Sequence, residues 1–306
     1  MSLADPGLAR REALRGHLAM LGFSAAVAGS FSLGVLVANE MAPSAINAVR
    51  FIVAALILGG LAVATGLSGG RGYRRQDFAA SWRYVVLAAL FAGYFVLMFE
   101  GLKTADPLSA GAVFTLTPLM TAAIAIPMLG QALRRDVALA LAVGAVGAVW
   151  VIFRGDIGRI FALELGRGEA IYFLGCILHA AFTPLLKKYN RGEPALVATS
   201  LVMAWGAVLL IGFGWAELQA VDWTALPPVV WVTLAYLVVF ASALTFILLQ
   251  YAAQRLPSSK VMAYTYLTPA WVILWELGLG HGGPGLMVLP GVALIGLALV
   301  MLLRRD

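Results

Sequence analysis

The sequence has very little charge. Only 12% of its 306 residues are Asp, Glu, Lys or Arg, against 62% hydrophobic. A soluble domain carries roughly 25% charged residues and has polar side chains to clothe its surface. This chain does not, so a water-soluble enzyme, a nucleic-acid binder and a disordered hub are excluded as classes. It has one cysteine, Cys176, which excludes an intrachain disulfide. The three histidines, His17, His179 and His281, are too far apart for familiar zinc spacing, so no metal and no cofactor are expected. No P-loop, dinucleotide motif or H-E-x-x-H occurs. Gly66-Leu67-Ser68-Gly69-Gly70 matches G-x-S-x-G by letter, but it sits in a Gly-rich turn after an apolar run. That motif needs a strand–turn–helix and a histidine beside the serine, so catalysis is not expected.

What the sequence does have is apolar runs. The mean hydropathy is +0.92. About twenty apolar residues cross the hydrocarbon of a bilayer. Ten such spans are expected, over residues 18–37, 43–65, 84–102, 107–129, 137–153, 169–186, 194–213, 227–250, 257–279 and 285–303. The fold class is an all-α integral membrane protein, with the lipid bilayer as its surroundings. The net charge of +6 is a pattern of orientation signals, not a nucleic-acid surface. With the N-terminus in the cytoplasm, 16 of the 21 basic residues fall inside, against 4 outside (Lys103, Arg154, Arg159 and Arg167), with Arg50 within a span. Both termini are therefore expected on the cytoplasmic side.

The two halves repeat. Gly16 and Gly168 are 152 apart, Pro43 and Pro194 are 151 apart, and Leu116-Thr117-Pro118 recurs 151 residues later as Leu267-Thr268-Pro269. A five-span block leaves its copy upside down, which is the inverted-repeat plan of many secondary transporters. The expected divisions are a tail over 1–15, a first repeat over 16–153, a linker over 154–167, a second repeat over 168–303 and an end over 304–306.

The five-plus-five plan, the segment P-S-A-I-N-A-V-R-F at 43–51 and L-T-P in the fourth helix of each half resemble the EamA-type drug/metabolite transporter superfamily. The resemblance covers essentially the whole chain. It implies an exporter or exchanger of small metabolites working by alternating access in the cell's inner membrane. Amino-acid exporters, including the aromatic amino-acid exporters called YddG, are the relatives it favours. The second repeat departs from the pattern: Leu201 stands where Arg50 stands in the first.

Matching broken helices are the best sequence pointer to a transporter site. Pro118 and Pro269 each free a helix carbonyl near mid-bilayer and are expected as hinges. Helical spacing then selects faces. Tyr264, Thr268, Trp271 and Trp275 form one stripe, and Tyr172, Cys176, His179 and Thr183 another. Met20 and Ser24 share a face of the first helix with Val27 and Phe31, and Phe91, Tyr94 and Met98 share one of the third. The expected cavity lining is Met20, Ser24, Phe91, Tyr94, Met98, Thr117, His179, Thr183, Tyr264, Thr268 and Trp271. Aromatic stripes also serve plain helix packing, and that alternative stands beside this one. Ionisable groups inside spans are few: Arg50, Glu100, His179 and Glu276. An Arg50–Glu100 ion pair, acting as clamp or outer gate, is geometrically allowed; capture of a substrate carboxylate by Arg50 is the other reading. No midplane carboxylate exists for proton-coupled cation export, and sugar phosphates would ask for more deep cations. A neutral, aromatic and hydroxyl-bearing path suits a small-molecule substrate such as an amino acid, with a monomer sufficient. A channel is disfavoured because nothing resembles a filter or charged ring. A scaffold role would leave the paired breaks unexplained.

Overall fold

The computed structural model describes residues 6–130, 134–162, 164–256 and 258–304. Among them every regular element is helical. Among the described residues, nine helices are each long and apolar enough to cross a membrane. The expected ninth span is not one helix. It is divided into Ser258–Ala263, a tight turn at Tyr264–Leu267, and Thr268–Gly278; Pro257 lies outside the described residues. The fourth span is divided in the matching place, into Pro107–Phe114 and Thr117–Leu129. The other spans are Pro6–Val37, Pro43–Leu67, Trp82–Leu102, Arg135–Ile152, Arg167–Tyr189, Ala195–Phe213, Pro228–Ala253 and Leu286–Leu303.

The first helix begins at Pro6, so most of the expected tail is a continuation of it. Its residues there are good helix formers, and Glu12 pairs with Arg15 at i, i+3. Residues 1–5 and 305–306 of the expected ends lie outside the described residues. Proline opens the second, fourth and eighth spans, where the first turn's N–H groups have no helical partner in any case. Asp106 caps the fourth, its carboxylate accepting from Ser109 N–H at 2.8 Å.

The second helix packs along the seventh and the fifth along the tenth. The third packs along the sixth as the eighth packs along the first. A repeat operation that sends helix n to n+5 maps the first two pairs onto themselves and exchanges the last two. The packing thus obeys the two-fold relation that the sequence offset announces. Contact between the halves is close. A Cβ on Gly101 would stand 2.6 Å from Gly168 O, and one on Gly147 would stand 2.7 Å from Gly291 O. Small residues bring helices together where lipid gives them no hydrophobic reason to associate. Around this core, large apolar side chains such as Leu56, Val146, Val232 and Phe213 point outward, as a surface in contact with acyl chains requires.

One element carries no sequence signal. Within the eighth span, Val239–Leu244 widens into a π turn. Ser242 Oγ fills part of the gap by donating to Leu237 O at 2.8 Å, five residues back.

Candidate functional site

Each broken helix restarts on its Thr-Pro pair. Thr117-Pro118 and Thr268-Pro269 are the first residues of their second half-helices. The expected kink is therefore a break just ahead of each proline. The ring excludes the preceding turn from regular α geometry. Thr115 Oγ1 donates to Ala112 O at 2.7 Å and Thr268 Oγ1 to Thr265 O at 2.7 Å, each adding a second donor to a carbonyl that already accepts the same residue's N–H. The two broken helices cross each other: a Cβ on Gly111 would stand 3.3 Å from Val272 Cγ2 and 3.6 Å from Thr268 Cγ2.

The expected lining residues fall into two clusters rather than around one opening. In the first, His179 of the sixth helix lies among four aromatic rings. Its ring centroid is 4.6 Å from Tyr94, 5.8 Å from Phe114, 6.1 Å from Phe91 and 6.4 Å from Phe182. Tyr94 and Tyr172 hydroxyls meet at 3.0 Å. His179 Nδ1 is buried with no hydrogen-bond partner. Met98 and Thr117 are buried, and Thr183 lies half-buried one turn beyond His179. In the second cluster the first and ninth helices meet. Trp271 Nε1 donates to Ser24 Oγ at 2.9 Å, and Tyr264 Oη hydrogen-bonds His17 Nδ1 at 2.8 Å beside buried Met20 and Thr268. Tyr236 Oη donates to Ala26 O at 2.9 Å and Trp275 Nε1 to Ala25 O at 3.3 Å.

Two polar locks join the repeats at opposite ends of the bundle. At one end Ser109 Oγ donates to Glu169 Oε1 at 2.8 Å, both residues buried. At the other His17 meets Tyr264. The repeat offset of 152 carries His17 onto Glu169, so one partner of each lock is equivalent in the two halves; the offset of 151 that relates the broken helices carries Ser109 onto Lys260, not onto Tyr264. Beside the Ser109–Glu169 lock a cavity of about 400 Å³ is lined by Asp106, Leu108, Ser109, Arg154, Ile273 and Glu276.

The expected Arg50–Glu100 pair is not formed. Glu100 pairs with Lys103 at 2.6 Å, its i+3 neighbour, because that partner is local and half-exposed. Arg50 is 1% exposed and reaches across to the π turn instead. Its Nε donates to Ser242 Oγ at 3.0 Å and its Nη2 to Ala241 O at 3.4 Å, while Cζ lies 3.9 Å over the Phe95 ring. His17, Ser109, Phe114, Glu169, Phe182 and Ser242 were not singled out by sequence. Phe182 had a signal, since it stands at i+3 from His179 on one helical face.

Comparison with known proteins agrees with this architecture. The EamA-like transporter family model matches twice, over residues 14–153 and 166–304. The Bacillus subtilis (strain 168) uncharacterized transporter YyaM is 25% identical over 264 residues, which is 86% of each chain. A crystal structure with a TM-score of 0.66 at 20% identity, over 95% of this chain and 96% of that one, shares the fold. A multi-pass membrane protein built from two such matched halves, this chain belongs to the EamA-like transporter family.

Proposed function

We propose that the protein exports or exchanges small metabolites by alternating access, with aromatic and neutral amino acids as the first substrates to test. The observation that carries this reading is the pair of helix breaks crossing at the centre. A helix already interrupted in mid-bilayer bends at little cost, and two of them related by an inverted repeat face opposite sides. The locks support the same reading, since each ties the first helix of one repeat to the fourth of the other. Aromatic rings around an imidazole suit a solute with an apolar side chain. A channel would need a continuous polar path, and the central rings are packed on one another.

The test is counterflow in liposomes. Protein-dependent uptake of labelled phenylalanine, tryptophan or leucine against an internal unlabelled load is expected, with or without a pH gradient. Failure with every metabolite in a broad panel would sink the carrier reading. Breaking one lock should bias access. Glu169→Ala is expected to leave the Ser109 end open, so that a cysteine at Ala110, a position 0% exposed beside Ser109, labels several-fold faster in a Cys176→Ser background. His17→Ala should leave that labelling unchanged.

The placement is the inner membrane with both termini cytoplasmic. The orientation rests on the basic-residue asymmetry, and the inner membrane on the family resemblance alone. Single cysteines at Gly72 and Gly158, in the Cys176→Ser background, are expected to label from opposite faces, Gly72 from the cytoplasmic one. Labelling of both from one side would reverse the assignment.

A further inference from the structure

A buried charge normally has a buried counter-charge, and Arg50 has none among the described residues. Its contacts are a hydroxyl, a carbonyl and an aromatic face, all neutral. Its Nη1 is buried with no hydrogen-bond partner. One turn earlier on the same helix, Asn47 is 0% exposed. Its Nδ2 donates to Pro43 O at 2.8 Å and to Phe95 O at 3.4 Å, but its Oδ1 has no partner. A helix face thus holds an unpartnered charged donor and an unpartnered acceptor at i and i+3, both lodged against Phe95.

Packing does not demand the arginine. The equivalent position of the second repeat is Leu201, which is also buried, and the seventh helix packs as its counterpart does. The π turn is likewise confined to the second repeat: the equivalent stretch of the third helix, 88–93, is regular. The two departures from repeat symmetry meet each other at Arg50 and Ser242. A charge kept in hydrocarbon without a partner, and not needed for packing, belongs to a site that an anion enters.

We propose that Arg50 binds the carboxylate of the transported solute through Nη1, and that Asn47 Oδ1 accepts from an N–H donor next to that carboxylate. Ser242 and Ala241 hold the guanidinium by its other nitrogens and leave this edge free. A carboxylate is the fitting anion because it is planar and accepts from a guanidinium edge. The inference rests on the carrier reading and narrows it to acids and amino acids.

The test measures binding apart from transport. Thermal unfolding of purified protein is followed with L-phenylalanine, with phenylacetate and with L-phenylalaninamide. Both carboxylates are expected to raise the midpoint, and the amide is not. In Arg50→Gln the apparent affinity for the carboxylates should fall about 10- to 100-fold. In Arg50→Lys it should fall less, because the charge remains while the planar fork is lost. Equal protection by amide and carboxylate overturns the proposal, as does a wild-type protein that neither carboxylate stabilises. So does Arg50→Gln with undiminished carboxylate affinity. If that variant does not fold, the wild-type comparison of phenylalanine with its amide still decides. Counterflow separates the two ideas: carboxylates that bind through Arg50 without being exchanged sink the carrier reading alone. Exchange of phenylalanine and phenylalaninamide alike sinks the carboxylate site alone.

Discussion

Arg83→Ala is expected to be among the most destabilising single changes in the protein. Arg83 and Glu193 pair at 2.8 Å with side chains 3% and 4% exposed. Arg83 also donates to the carbonyls of Tyr189 and Ala79, so it ties the third helix to the turn between the sixth and seventh. Removing one partner strands the other charge out of water, which costs about 3–5 kcal/mol. Burial alone would push the Glu193 carboxyl up. The Arg191 N–H, at 2.7 Å, and the Arg83 guanidinium outweigh it and hold the group down at about 2. The pair's contribution is therefore complete above the ordinary carboxylate value near 4.5 and is lost as pH falls from there towards 2. Thermal unfolding from pH 7 to pH 3 checks this. The wild type should lose stability in the acid range, and Arg83→Met/Glu193→Leu should lose less. The double variant should also unfold at a higher temperature than either single one. A single variant with an unchanged midpoint would show that the pair contributes nothing.

The second large effect is expected at Gly168. A Cβ there would collide with Gly101 O and with the backbone nitrogen of Ala105, which lies 2.5 Å away. Backbone cannot step aside as a side-chain end can, so the third and sixth helices must separate. Overpacking costs about 1–3 kcal/mol where neighbours yield, and more where they do not. Gly168→Ala should reduce monodisperse yield several-fold, and Gly168→Leu should abolish it. Gly212→Ala is the control. Nothing lies within 4 Å of a Cβ at that helical position, so its yield should equal or exceed that of the wild type. A Gly168→Ala protein with normal yield and midpoint would mean the helices do not touch there.

These two positions illustrate what the sequence discloses. Apolar runs gave the spans because hydrocarbon thickness sets a length that composition must meet. The offset between Leu116-Thr117-Pro118 and Leu267-Thr268-Pro269 disclosed where both helices break, because proline acts through its own ring. In the structure the ninth span is interrupted, in three pieces at Ser258–Ala263, Tyr264–Leu267 and Thr268–Gly278. Pairing was less legible. Glu100 lay within reach of Arg50 by depth, but depth ignores azimuth, and Lys103 at i+3 was the nearer partner. The π turn at Val239–Leu244 holds neither Pro nor Gly, so nothing local marked the surface to which Arg50 turns. Glu169 and His17 were passed over because each sits at the edge of an apolar run, where a polar residue is ordinary. Only the offset between repeats, applied residue by residue, relates them.

That relation has a consequence for direction. The two ends of the proposed path are equivalent by fold but not by chemistry: a serine and a carboxylate close one, a tyrosine and an imidazole the other. Opening either end therefore crosses a barrier of its own height. At equilibrium this cannot bias a passive carrier, whose forward and reverse fluxes must balance at equal concentrations. Away from equilibrium it does. On the proposed mechanism, half-saturation and maximal velocity measured from the two faces are expected to differ in the same proportion, so an equal gradient applied in opposite senses would drain at unequal speed. On the proposed carrier mechanism, a protein assembled from two copies of one architectural unit would rectify in rate while remaining neutral in energy.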